Sequence, residues 1–218
     1  MRRIESLLLP GPVGNLEALL EAPEGSEPVE AALVCHPHPL HGGTLHNKVV
    51  HRLARGLRRN GCVVLRFNFR GVNLSQGVHD DGHGEIEDAR AALRFLRRRF
   101  PLLPYTLAGF SFGSRVALRL AASLWAPFPG RVIAAGFPTV YRNWGFLDEL
   151  RAKRVFIQST RDEFGPRPQL TALANSLPGA KEVHWIEAQD HFFRGALDEF
   201  EMTVRGLGSL AHGARHLA

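Results

Sequence analysis

Residues 105–118 combine a buried strand pattern, a glycine-flanked turn and a helical pattern, and they constrain the fold more than any other segment. The turn is Gly109-Phe110-Ser111-Phe112-Gly113, in which one serine stands between two glycines. A serine wedged between a strand and a helix takes a strained backbone, and glycines at this spacing let the two elements approach. The strain exposes the hydroxyl. The first backbone N–H groups of the helix direct the positive end of the helix dipole towards the same position. The segment therefore predicts a turn that presents Ser111 as a nucleophile.

The rest of the chain alternates short apolar runs with amphipathic helical patterns. Eight runs are typical of strands: 4–9, 16–22, 29–35, 62–67, 105–108, 131–135, 154–158 and 182–186. Helical periodicity marks five segments: 49–57 with a stop at Asn60-Gly61, 84–99, 112–125, 168–177, and a stretch from near His191 onwards. The turn Gly11-Pro12-Val13-Gly14 predicts an antiparallel hairpin of the first two strands at a sheet edge. The whole pattern predicts an α/β fold with a doubly wound, mostly parallel sheet.

Length and composition favour one globular domain over residues 1–218. Hydrophobic residues make up 44% of the chain and charged residues 22%, values typical of folded soluble proteins. No apolar run approaches the roughly 20 residues that span a bilayer, so we expect a cytoplasmic protein without a membrane partner. Cys35 and Cys62 lie inside apolar strand patterns, which favours free buried thiols over a disulfide.

The net charge of +6 comes from arginine, because only Lys48, Lys153 and Lys181 are lysines among 27 basic residues. The arginines are scattered on helix faces opposite apolar stripes, which favours solvated surfaces over a nucleic-acid-binding patch. We therefore expect no nucleic-acid partner. The sequence leaves a monomer and a homodimer equally open.

A serine hydroxyl needs a histidine to take its proton and an acid to hold that histidine in the right tautomer. Asp162 follows the predicted strand 154–158, and His191 follows the last predicted strand. Carboxyl ends of parallel strands gather the chemistry of open α/β sheets, so both residues are expected near Ser111. Glu163 is an alternative acid, and Asp190 is expected to cap the following helix. The competing interpretation, an ordinary glycine-rich turn with a capping serine, leaves the placement of these residues unexplained.

With these segments the chain resembles the α/β-hydrolase superfamily, and more narrowly its small capless bacterial serine hydrolases related to dienelactone hydrolases. Further matching segments are His36-Pro-His-Pro-Leu-His-Gly-Gly43, Asn47-Lys-Val-Val50, Phe67-Asn-Phe-Arg-Gly71 with Ser75, and Asp80-Asp-Gly-His-Gly-Glu85 with Asp88. The resemblance implies an α/β-hydrolase fold without a separate cap domain. Dienelactone hydrolases carry cysteine where this chain has Ser111, and neither Cys35 nor Cys62 can take that role from inside a strand.

An acyl-transfer enzyme also needs two backbone N–H groups to stabilise the oxyanion that forms on the substrate. Phe112, the first residue after the nucleophile, is expected to supply one. The resemblance implies that the second comes from the loop after strand 29–35. Since Pro37 and Pro39 have no N–H, the candidates are His38, by analogy the first choice, and Leu40, the second.

The many histidines also suggest a metal site, with candidate ligands His36, His38, His41, His46, His79, Asp80, Asp81 and His83. The interpretation we favour is structural: His36 and His38 shape the oxyanion loop, and residues 80–85 form a tight turn that caps the next helix. Arg70, Glu85 and Asp88 are then expected to form an ion-pair cluster. The predicted chemistry needs no metal or other cofactor, and no nucleotide-binding glycine motif occurs.

The sequence thus predicts a carboxylesterase-like serine hydrolase that acts on small esters, with thioesterase, amidase and non-catalytic binding protein as alternatives. Only 18 residues, 136–153, separate two strands at the point where the superfamily commonly inserts a lid. We therefore expect an open, shallow cleft for a small-molecule ester. Its expected aromatic walls are Phe110, Phe137, Tyr141, Trp144, Phe146, Phe164 and Phe192.

Overall fold

The computed structural model describes residues 4–23 and 25–210, and it confirms the predicted α/β architecture. The described strands are β1 (Ile4–Gly11), β2 (Gly14–Glu21), β3 (Glu30–Cys35), β4 (Cys62–Phe67), β5 (Tyr105–Phe110), β6 (Arg131–Ala135), β7 (Lys153–Ser159) and β8 (Lys181–Ile186). They form one sheet in the order β1-β2-β4-β3-β5-β6-β7-β8. β1 and β2 pair as the expected antiparallel hairpin, and β2 is antiparallel to β4. All other neighbouring pairs are parallel.

Helices cover both faces of the sheet. They are α1 (Lys48–Arg59), α2 (His83–Arg99), α3 (Phe112–Ala122), α4 (Arg167–Ser176) and α5 (Leu197–Gly206). Alternate residues of a strand point to opposite faces, so Val63 and Leu65 of β4 enter one core while Cys62 and Val64 enter the other. The first core lies under α2, α3 and α4, and the second under α1 and α5.

The chain between β8 and α5 differs from the prediction. We expected the last helix to start near His191, with Asp190 as its cap, but α5 begins at Leu197. Phe193 and Gly195 have positive φ values of 55° and 83°, which interrupt a right-handed helix. Asp190 instead accepts hydrogen bonds from the backbone N–H groups of Phe192 and Arg194, both at 3.0 Å. This segment is therefore a tight loop.

α3 also differs from the prediction, because it ends at Ala122 rather than at residue 125.

The carboxyl ends of the parallel strands collect the predicted site residues at one edge of the sheet. Residues 136–153, between β6 and β7, form a loop whose only regular element is the short 3-10 turn Gly145–Leu147. This confirms that no cap domain is inserted there. No helix within the described parts of the chain has the length and apolar character needed to cross a bilayer.

Candidate active site

Ser111 has the strained backbone that the motif predicts. Its φ of 55° and ψ of −122° lie outside the regions that L-residues favour. A Cβ atom at Gly109 would overlap the backbone of Gly113, and one at Gly113 would overlap the backbone carbonyl of Cys35. The two glycines therefore allow β5, α3 and the end of β3 to meet at Ser111.

The structure brings Ser111, His191 and Asp162 together in one hydrogen-bonded chain. Nε2 of His191 lies 2.9 Å from Oγ of Ser111, and Nδ1 of His191 lies 2.8 Å from Oδ2 of Asp162. Both the imidazole and the carboxylate are almost completely buried. With Nδ1 donating to the carboxylate, Nε2 is free to accept the proton of the serine hydroxyl.

Asp162 is held by a full set of donors. Its Oδ1 accepts the backbone N–H groups of Phe164 and Gly165, both at 2.9 Å, and its Oδ2 accepts Nε2 of Gln158 at 2.9 Å. Together with His191, four donors point at one carboxylate, which matches the acceptor-only character of its ionised form. The sequence analysis did not predict a role for Gln158. The signal that could have indicated it is its position at the end of β7, next to the acidic loop.

The alternative acids occupy other positions. Oε2 of Glu163 accepts the backbone N–H of His191 at 3.1 Å, so this carboxylate contacts the histidine backbone rather than its ring. Asp190 also points away from the ring, into its own loop and towards Arg194 at 3.0 Å. Of the three acids considered, Asp162 is the one that contacts the imidazole.

Aromatic rings surround the imidazole of His191. The ring of Phe110 is centred 4.9 Å from it, and those of Phe164 and Phe192 are centred 4.8 and 5.3 Å away. Phe110 is fully buried, so its prediction as a cleft wall is wrong. The reason is strand alternation: Ser111 faces the cleft, and the preceding side chain points into the core, where it supports His191.

The loop after β3 lies against the start of α3. Phe112 is the first residue of α3, so its N–H has no intrahelical acceptor. The ring of His38 is centred 5.0 Å from the ring of Phe112, and both residues line the cleft together with Ser111. The carbonyl oxygen of His38 accepts the N–H groups of His41 and Gly43 and so fixes the loop. His38 and Phe112, the two expected oxyanion donors, therefore both lie at the cleft with Ser111.

Leu40, the second choice for that role, does not fit. Its side chain is 70% exposed, and it does not line the cleft. Its N–H donates to Nδ1 of His38 at 3.2 Å and is therefore already engaged.

The imidazole of His38 has an altered pKa. Burial, together with the nearby His79 and His41, lowers the pKa of His38 below its usual value.

His36 holds the base of this loop. Its Nε2 accepts the backbone N–H of Phe69 at 3.0 Å, and its Nδ1 lies 2.6 Å from the carbonyl oxygen of Pro37. Because both ring nitrogens are engaged, His36 shapes the loop as expected and cannot also bind a metal. Burial lowers its pKa to about 4.

The predicted ion-pair cluster is present only in part: Arg70 pairs with Asp88, whereas Glu85 contacts His79 and backbone N–H groups instead of Arg70. Arg70 donates to both carboxylate oxygens of Asp88, at 2.8 and 3.0 Å. Glu85 accepts the N–H groups of Asp80 and Gly82 and lies 2.8 Å from Nδ1 of His79. Within residues 4–23 and 25–210, no three His, Cys, Asp or Glu side chains have the arrangement of a metal site.

The cleft above Ser111 has a volume of about 270 Å³. Of the predicted walls, Tyr141, Phe164 and Phe192 line it; additional lining residues that we did not predict include His41, Gly42, Gly43, Asn47 and Pro138. Phe137, Trp144 and Phe146 do not line it, so these three predictions are wrong. Phe137 is fully buried against Phe156, and Trp144 packs on the core below the loop.

Both cysteines are buried and free. Burial raises the pKa of the Cys35 thiol and of the Cys62 thiol far above the ordinary value. Since the thiolate is the reactive form, neither residue can replace Ser111 as a nucleophile.

Comparison with known proteins agrees with this geometry. A model of an alpha/beta hydrolase domain family matches residues 32–204. An uncharacterized Rickettsia prowazekii protein, RP471, is 35% identical over 204 residues, which cover 89% of this chain and 84% of that protein.

Two solved structures are similar over nearly their whole length. An alpha-beta serine hydrolase homologue from Coxiella burnetii is 35% identical with a TM-score of 0.87, covering 98% of this chain and 97% of its own. XC6422 from Xanthomonas campestris, described as a serine hydrolase without lid, is 35% identical with a TM-score of 0.85, covering 98% and 94%. The chain described here therefore belongs to the alpha/beta hydrolase domain family, and no lid is inserted within residues 4–23 and 25–210.

Proposed function

We propose that this protein is a serine hydrolase that cleaves small carboxylic esters through an acyl-enzyme on Ser111. The observation that carries the proposal is the chain of hydrogen bonds from Oγ of Ser111 through His191 to Asp162, with distances of 2.9 and 2.8 Å. Such a chain turns a weakly nucleophilic hydroxyl into an attacking group at neutral pH.

The reaction has two steps. Ser111 attacks the ester carbonyl while His191 takes the hydroxyl proton, and the tetrahedral oxyanion is stabilised by the N–H groups of Phe112 and His38. His191 then returns the proton to the departing alcohol. Water, deprotonated by His191, attacks the acyl-enzyme and releases the carboxylic acid. Asp162 keeps Nδ1 protonated and stabilises the imidazolium that forms in both steps.

The relatives support the same class of reaction. The similar Coxiella burnetii and Xanthomonas campestris proteins are both described as serine hydrolases. A cleft of about 270 Å³ with aromatic walls favours a compact ester over a long acyl chain.

Labelling with a fluorophosphonate probe tests the proposal. We expect stoichiometric labelling of the wild-type protein and turnover of p-nitrophenyl acetate, with both lost in Ser111→Ala. A matched control is Ser114→Ala, because Ser114 lies one turn further on and its hydroxyl donates to the carbonyl oxygen of Ser111. A folded wild-type protein that is neither labelled nor active on esters would contradict the proposal.

A further inference from the structure

The guanidinium of Arg115 lies next to Tyr141, a residue that lines the cleft, although Arg115 itself is not among the lining residues. Arg115 is one helical turn after Ser111, and its N–H donates to the carbonyl oxygen of Ser111 at 3.3 Å. Helical side chains lean towards the N-terminus of their helix, so Arg115 extends towards the end of α3 that carries the nucleophile. Its guanidinium carbon is 5.9 Å from the ring centre of Tyr141, which lines the cleft.

This guanidinium has no counter-ion among the described residues. Its Nη1 is buried without a hydrogen-bond acceptor, and the adjacent side chains are Tyr141, Phe146 and a second arginine, Arg119. The guanidinium carbons of Arg115 and Arg119 lie 5.4 and 5.3 Å from the ring centre of Phe146. Burial and the nearby Arg119 lower the pKa of Arg115 to about 10, which leaves it a cation at neutral pH.

Most other buried arginines in this fold are matched by acids: Arg66 pairs with Glu21, Arg70 with Asp88, and Arg131 with Glu30. Arg154 is the exception, and it donates instead to the backbone carbonyl oxygens of Leu147, Leu150 and Pro178. A buried donor without an acceptor is costly, and such groups in folded proteins are usually satisfied by a partner. Nη1 of Arg115 has neither a carboxylate nor a carbonyl acceptor among the described residues.

The cleft itself favours an anion. No carboxylate side chain is among its lining residues, and Asp162 lies behind His191 with its oxygens already bonded. The ammonium of Lys48 lies 5.9 Å from the ring centre of Phe192, another residue that lines the cleft. Two cations therefore lie next to lining residues, while the lining itself carries no negative charge.

We propose that the cleft takes esters whose acyl part ends in a second carboxylate, and that Arg115 binds this carboxylate. The planar guanidinium matches a carboxylate through two parallel hydrogen bonds. The inference rests on the proposed ester hydrolysis and specifies its substrate class. In the reaction the acyl–oxygen bond breaks, a water oxygen joins the acyl carbon, and the products are an alcohol and a dicarboxylic acid.

The experiment compares kcat/KM for three methyl esters: monomethyl glutarate, dimethyl glutarate and methyl pentanoate. We expect the wild-type enzyme to prefer monomethyl glutarate to both neutral esters by about ten- to hundredfold, the range of a hydrogen bond to a charged group. Arg115→Met should bring this ratio close to one, and Arg115→Lys should retain part of it. Arg119→Met is the matched control, because Arg119 stacks on the same ring, and it should keep the preference.

The readout is the ratio of kcat/KM for two substrates, so a loss of folded enzyme does not change it. A wild-type enzyme that is labelled by fluorophosphonate but prefers the neutral esters would overturn this inference and leave the proposed function standing. A preference that survives in Arg115→Met, or that disappears equally in Arg119→Met, would overturn the assignment to Arg115. A protein that is neither labelled nor active on any ester would contradict the proposed function and the inference with it.

Discussion

Gln158 donates from Nε2 to Oδ2 of Asp162 across 2.9 Å, and the same carboxylate oxygen faces Nδ1 of His191 at 2.8 Å. Gln158 is fully buried at the end of β7, where its Oε1 also accepts the backbone N–H of Phe137 at 2.8 Å. One amide therefore ties the end of β6 to the carboxylate that orients the histidine.

Replacing this amide should affect both folding and catalysis. For Gln158→Met we expect the free energy of unfolding to fall by about 1–3 kcal/mol, because buried groups lose their partners. We expect kcat to fall about tenfold, equivalent to about 1.4 kcal/mol, through a less well oriented carboxylate. Gln169→Met is the control, since Gln169 is exposed and its side chain bonds, within the described part of the chain, only to Thr139. Urea titrations and ester kinetics measure the two effects; an unchanged kcat in Gln158→Met would show that the amide does not orient Asp162.

The two neighbouring acids should behave differently when their charges are removed. Asp162→Asn is expected to lower kcat by roughly 10⁴-fold, because an amide facing Nδ1 favours the wrong histidine tautomer. Glu163→Gln should change kcat only slightly, since its remaining oxygen can still accept the N–H of His191. Steady-state kinetics of the two variants measure kcat. If Glu163→Gln lowered kcat strongly and Asp162→Asn did not, Glu163 would be the acid that orients His191.

His36 should make stability depend on pH. Burial lowers its pKa to about 4 from an ordinary value of 6.5, so the unfolded chain binds the proton more tightly than the folded chain does. This contribution is therefore fully present above pH 6.5 and is lost as the pH falls towards 4. It amounts to about 2 kcal/mol between pH 7 and pH 5.

Urea unfolding at the two pH values measures this effect. His36→Gln should be less stable at pH 7, because it loses the contact with Pro37, but its stability should change less between pH 7 and pH 5. An equal pH dependence in wild type and His36→Gln would contradict the assignment.

The size of the cleft should limit the acyl chain of neutral esters. Each additional CH₂ contributes about 0.8 kcal/mol only while there is apolar surface to bury it. Within a series of p-nitrophenyl esters we expect the highest kcat/KM at about two to six acyl carbons. A value of kcat/KM that still rises at twelve carbons would contradict the open cleft of about 270 Å³.

The strand ends and the nucleophile turn were predictable because each depends on local sequence. Continuous apolar runs mark the buried parallel strands, and glycines flank Ser111 at the spacing that its strained turn requires. The order of strand-end loops predicted that Asp162 and His191 lie near Ser111, and the structure brings the three side chains within hydrogen-bonding distance.

The aromatic walls could not be sorted in this way. Phe110 and Tyr141 are both aromatic residues near strand ends, yet the first is buried and the second is 50% exposed. Phe110 is buried because of strand alternation at the end of β5, whereas the exposure of Tyr141 depends on how the loop 136–153 packs on α3, which involves residues distant in sequence. The loop before α5 could not be predicted either. Phe193 adopts a left-handed conformation there, although glycine and asparagine are the residues that usually indicate one.

Gly136, at the end of β6, has consequences for enzyme engineering. Its φ is 55°, which disfavours other residues, and a Cβ there would come within 2.7 Å of Phe110 and 3.0 Å of His191, so any side chain at this position would crowd both rings. Gly145, in the short turn of the loop between β6 and β7, would place a Cβ in open space. Libraries should therefore leave residue 136 fixed, whereas residue 145 can accept new side chains without a clash.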